Sequence, residues 1–201
     1  MASSGELLKV IAGSLGLPFE TAREHLRNMR RREGTIPFKG YGRGAAAMGP
    51  LEAAKMLLVC AGSTFVKDSL TTLDGFSRLQ PVPQENRPPL RPDQHGKTPL
   101  QDELAQMIAD IRDGRLGDDT AYERTGTGNG LVLISAVGNS DEVPRVAVLR
   151  RFGKTETGSR IFSKPGWTLR RLGFDIDLTG VGLVQRRQVA AWVLAEIARS
   201  L

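Results

Sequence analysis

Four arginines recur at helical spacing early in the chain: Arg23, Arg27, Arg30 and Arg31. At about 100° per residue they share one side of a helix, away from Ala22, Leu26 and Met29. Guanidinium groups gathered in this way suit phosphate. A single arginine in the same position can also make paired hydrogen bonds to the major-groove edge of guanine. Thr21 and Glu24 lie near the start of that helix, where helices of this type meet base edges. Lys39, Tyr41 and Arg43 come next, in a glycine-rich stretch. Between residues 18 and 44, seven basic side chains stand against three acidic ones, in a chain whose formal net charge is +6. The competing explanation is a helical hairpin with a solvated basic face.

Other chemistries find few residues. Two histidines, His25 and His95, and one cysteine, Cys60, cannot assemble a zinc set at usual spacing. The sequence has no phosphate-binding Walker loop, no G-x-S-x-G elbow and no H-E-x-x-H pair. The glycines at 40, 42 and 44 lack the strand–loop–helix setting of a nucleotide loop. The Gly/Thr run at 125–130 precedes a strand, whereas phosphate cradles come after one. A Ser/His/Asp arrangement stays open, since its members need not be neighbours. No metal, no cofactor and no enzymatic activity are expected. Cys60 lies in an apolar helix and reads as a packing residue. His25 reads either as a phosphate contact or as a packed residue.

The elements that must position the arginines begin with a helix carrying Leu8, Ile11 and Leu15, ended by Gly16. Pro18 suits the first position of a second helix, whose inner face is Phe19, Ala22, Leu26 and Met29. Two helices across a short glycine-containing turn are the sequence form of a helix-turn-helix. Residues 34–44 could form two extended pieces around a basic tip, a wing lying on the sugar–phosphate backbone, or a flexible linker.

The run Leu15-Gly16-Leu17-Pro18-Phe19-Glu20-Thr21-Ala22-Arg23-Glu24-His25-Leu26 resembles the helix-turn-helix of bacterial winged-helix regulators. Ala12, Gly16, Thr21, Ala22, His25 and Leu26 fill that motif's places. Leu17-Pro18 departs from it and removes the side-chain N-cap. The resemblance covers residues 6–44; the basic glycine-rich tail is also similar to that of small prophage DNA-binding proteins. It implies duplex DNA as partner, with Thr21, Arg23, Glu24 and Arg27 in the major groove, and Arg30, Arg31, Lys39, Tyr41 and Arg43 on the flanking backbone.

Further along, Pro50 starts an apolar helix, buried or dimeric, and Ser63 suits the N-cap of another with Phe65, Val66, Leu70, Leu73, Phe76 and Leu79. Residues 81–98 hold five prolines and read as a linker. Leu100, Leu104, Met107, Ile108 and Ile111 predict a helix ended by Gly114, with Asp102, Glu103, Asp110 and Asp113 outward. From 121 the period changes: 131–137 and 143–152 read as a hairpin around turn chemistry at 138–141, and 160–162 as a short third strand. Val189, Val193, Ile197 and Leu201 predict a closing helix over 185–201, which puts Arg186 and Arg187 in its first turn. There the helix dipole disfavours cations, so nucleic acid or Asp175 and Asp177 would have to offset them.

The expected class is α+β: a helical, winged helix-turn-helix domain over 1–80, a Pro-rich linker over 81–98, and a C-terminal domain over 99–201 with a small antiparallel sheet and flanking helices. The function expected is sequence-specific DNA binding by a homodimeric regulator of bacterial or prophage origin. The C-terminal half is left for oligomerisation, an effector or a protein partner. A DNA-packaging adaptor, or an enzyme with a site in the sheet, are the other readings. No signal peptide or membrane-spanning run is legible, which suggests the cytoplasm.

Overall fold

The computed structural model describes residues 2–37, 47–82, 98–116, 130–136, 145–152, 157–164, 170–172, 175–177 and 184–201. Helix α1 (Ser4–Leu15) starts with a capping box: the Glu6 amide donates to Ser3 Oγ and the Ser3 amide to the Glu6 carboxylate, at 3.2 and 2.8 Å. Those bonds hold the Glu6 carboxyl below its usual pKa. Leu7, Leu8, Ile11 and Ala12 are its buried face. Gly16, at φ 65°, ends the helix in the left-handed conformation that a Cβ would strain, and Leu17 N–H closes back on Ala12 O at 2.9 Å.

Helix α2 spans Phe19–Arg30, so Pro18 stands one place outside it as the capping residue. The Pro18 carbonyl accepts from Thr21 and Ala22, and no side chain caps the end. Ala22, His25, Leu26 and Met29 are buried. Phe19, expected on the inner face, is 37% exposed at the helix tip.

Of the stretch 34–44, where a wing or a linker was expected, only residues 34–37 are described. Residues 34–37 are turn and bend, with Ile36 buried. Further along, β2 (Ala47–Met48) pairs antiparallel with the N-terminal β1 (Ala2–Ser3). Residues 38–46, where a basic tip was expected, lie outside the described residues.

Helix α3 (Pro50–Gly62) is the centre of the fold. Met56 to Ala61 are buried without interruption, as a helix apolar on most sides demands. Ser63 caps its C-terminus and not the start of the next helix; a 3-10 turn (Val66–Asp68) intervenes before α4 (Ser69–Ser77). Helix α5 (Leu100–Arg112) buries the five apolar residues expected of it, and Gly114 at φ 71° comes just after its end.

Strand β3 (Gln80–Pro81) runs into the start of the stretch where a linker was expected. It edges a five-stranded antiparallel sheet, order β3-β6-β5-β4-β9, formed with β4 (Gly130–Ala136), β5 (Arg145–Phe152), β6 (Thr157–Ser163) and β9 (Val184–Val189). A separate hairpin joins β7 (Arg170–Leu172) and β8 (Asp175–Asp177). Helix α6 (Ala191–Ser200) closes the chain. Residues 185–189 are therefore strand: Val189 is a strand residue, and Arg186 and Arg187 carry no helix-dipole penalty.

Along β4, Leu131 and Leu133 face the helices, while Val132 and Ile134 join Val146, Val148 and Ile161 on the opposite face, so the strand is buried on both sides. The helical face meets α3, α5 and α6, and α6 also packs on α1. One hydrophobic core thus runs from Ala2 to Ala198. Residues 79 and 100 are tied directly, Leu100 N–H donating to Leu79 O at 2.9 Å. The core does not divide at 81–98.

Two acidic side chains on α5 are corrected. Glu103 and Asp110, expected outward, are each 7% exposed. Glu103 pairs with Arg160 of β6, and Asp110 with Arg115 at 2.8 Å and Gln106 at 2.8 Å. A buried carboxylate needs such partners. Asp102 and Asp113 are exposed as expected.

Candidate nucleic-acid interface

The exposed side of α2 carries Glu20, Arg23, Arg27 and, one residue past its end, Arg31. This side is open because the opposite one is spent on the core. Thr21 and Glu24 sit half-buried on its flank. The arginines are not equivalent. Arg23 pairs with Glu20 and Arg27 with Glu24, each at 2.6 Å across one turn. Both pairs are solvated and hold about 0.3–0.5 kcal/mol each, so an incoming anion can replace the carboxylate at small cost. Until it does, the local positive field is partly cancelled.

Arg30 is half-buried with its Nε out of solvent, and burial lowers its pKa from the ordinary value. It sits at the edge of the exposed side of α2. Arg31 is exposed and no carboxylate among the described residues pairs with it. Lys39, Tyr41 and Arg43 lie outside the described residues.

The backbone leaving α2 is tied down. Arg32 reaches Asp74 of α4 through two hydrogen bonds and donates from Nε to Thr35 Oγ1 at 3.3 Å. Lys55 of α3 donates to Thr35 O at 2.7 Å. The positive surplus counted over residues 18–44 therefore includes one arginine that serves the fold.

His25 belongs to the fold as well. It is 3% exposed, with Nδ1 2.9 Å from Ser69 Oγ. Ser69 Oγ–H donates to Val66 O, so the Ser69 oxygen accepts and His25 carries its proton on Nδ1. Burial, and then the charge of Arg187, push the imidazole pKa down and keep the ring neutral. Of the two roles considered for His25, packing is the one realised.

The sequence reading missed the turn beside α2. Asn28 Nδ2 donates to Val66 O at 2.9 Å, and so fixes the 3-10 turn against the helix. Phe65 is 58% exposed, and the Lys67 ammonium lies 5.5 Å from its ring centre. No pattern within 64–69 announces this; it depends on the chain folding back across 38 residues.

Among the described residues, no three His, Cys, Asp or Glu side chains are grouped to hold a metal ion, and no helix is long and apolar enough to cross a membrane. Comparison with protein-family models, with curated proteins and with solved structures gave no match.

Proposed function

We propose that the chain binds double-stranded DNA, with α2 as the helix that enters the major groove. The observation that carries this reading is the open side of α2, where Arg23, Arg27 and Arg31 succeed one another along a helix seated on the core by Ala22, Leu26 and Met29. The left-handed turn at Gly16 supports a helix-turn-helix arrangement of α1 and α2. The tip of α2, from Pro18 to Glu20, is exposed.

Chemically, Arg23 and Arg27 would trade Glu20 and Glu24 for guanine edges or phosphates, and Arg31 would meet phosphate directly. Sequence-specific regulation by a pair of copies on a two-fold site is the biological form that suits such a helix. Selection of bound fragments from random duplexes, then titration at several salt concentrations, tests the reading. Enrichment of a motif and a steep fall of affinity with salt are expected. Affinity unchanged across a fourfold salt range would overturn it.

A further inference from the structure

Counting charges credits α2 with its whole phosphate-binding capacity. The ion pairs say otherwise. Arg23 and Arg27 are matched by carboxylates on their own helix, and Arg32 is held by Asp74. Among the described residues around this face, the exposed cations with no carboxylate partner are Arg31 and Lys67. They come from different elements, joined at one point. Asn28, three residues before Arg31, holds the carbonyl of Val66, the neighbour of Lys67. The same turn is secured from its other side by the hydrogen bond of Ser69 to Val66 O and from its base by Thr64 Oγ1–H donating to Gln185 Oε1 at 2.8 Å.

We infer that the 3-10 turn at Val66–Asp68 is a second phosphate-binding element, with Lys67 holding the DNA backbone beside the groove that α2 occupies. The inference rests on the proposed reading of α2 and adds a surface to it. A cation already paired must give up its carboxylate before it takes a phosphate, whereas Lys67 gives up only water and its place over Phe65. The Phe65 ring keeps the ammonium within reach, since the face of an aromatic ring attracts a cation. It also explains an oddity of the fold. Phe65 is 58% exposed on a turn fastened at three points, and a ring standing beside a lysine offers a sugar–phosphate backbone both an apolar face and a charge. The only acidic group in the turn, Asp68, is half-buried, which leaves Lys67 as its outward charge.

The experiment is fluorescence anisotropy of a labelled duplex with the full chain, in wild type, Lys67→Ala, Lys67→Arg, Phe65→Ala and, as a control, Lys9→Ala, which is exposed on α1. Each is measured on a selected duplex and on a scrambled one, over a series of salt concentrations. Lys67→Ala is expected to weaken both duplexes by the same factor and to reduce the log–log salt slope by about one. Lys67→Arg restores the slope, Phe65→Ala weakens binding less than Lys67→Ala, and Lys9→Ala changes nothing. If wild type binds with a steep slope and Lys67→Ala keeps both slope and affinity, the inference falls while the reading of α2 stands. If Lys67→Ala alters the ratio between the two duplexes, the turn reads bases and its role as a backbone clamp is wrong. If wild type binds no duplex, both fall together.

Discussion

Arg32 and Asp74 meet through two parallel hydrogen bonds, Nη1 to Oδ2 at 2.7 Å and Nη2 to Oδ1 at 2.9 Å, and so fasten the chain leaving α2 to the side of α4. Paired geometry of this kind is the strongest form of arginine–carboxylate contact. Both side chains remain partly solvated, which keeps its contribution modest. Arg32→Ala and Asp74→Ala should each lower stability by about 1 kcal/mol. A double-mutant cycle in urea should recover a coupling of about 0.5–1 kcal/mol. Additive single effects would mean that the two groups contribute through separate neighbours.

His25 predicts how stability responds to acid. Its pKa in the folded chain lies below the ordinary 6.5. Above 6.5 the ring is neutral in both states and stability is complete. Below 6.5 the unfolded chain binds a proton that the folded chain refuses, so stability falls with pH until the folded pKa is reached. His25→Asn keeps a donor toward Ser69 and removes the titration. The variant should show a flatter loss of stability just below pH 6.5, measured by urea unfolding at a series of pH values. An unchanged slope would assign the acid sensitivity to other groups.

The shared core predicts that the halves depend on each other. Residues 1–80 and 99–201, expressed separately, should not unfold cooperatively, because α3 loses α5 in one fragment, and in the other the sheet loses α3, α4 and its edge strand β3. Mixing the two should restore a cooperative transition. A sharp calorimetric transition for either fragment alone would show that its share of the core suffices.

Gly75 marks a close approach in α4. A Cβ there would overlap the guanidinium of Arg145, which is 7% exposed and lies 5.9 Å from the Phe76 ring centre. Alanine normally gains about 1 kcal/mol over glycine inside a helix. Here Gly75→Ala should instead destabilise by about 1 kcal/mol, because the buried guanidinium must leave its place beside Phe76 to admit the methyl group. In an Arg145→Ala background the same change should stabilise. Thermal unfolding of the four proteins settles the sign.

Much of the helical frame was legible because its apolar residues keep a clean period. Leu8, Ile11 and Gly16 define α1, and Leu100 to Gly114 define α5. The hairpin of β4 and β5 was legible from its unbroken apolar runs. The start of α6 was not, since Val189 ends a strand yet falls four residues before Val193, so the helical period continues across the junction. Glu103 was misplaced because its partner, Arg160, stands 57 residues later and no local pattern records it. His25 was ambiguous for the same reason, its hydroxyl partner being 44 residues away. Within α2 the charges were legible but their pairing was not. A count treats Arg23, Arg31 and Arg32 alike, while the fold gives them a neighbouring carboxylate, open water and a clamp.

Cys60 is the chain's single thiol, 2% exposed within α3, and burial pushes its pKa to about 12. Only a thiolate reacts with disulfide reagents, and at neutral pH the folded chain presents almost none. Modification can therefore proceed only through molecules whose core has opened around α3. The rate of labelling then counts those openings one by one, and a duplex that binds the closed form should slow the count in proportion to its occupancy. The protein thus carries its own stopwatch for the opening of α3, which any molecule bound to the closed form would slow.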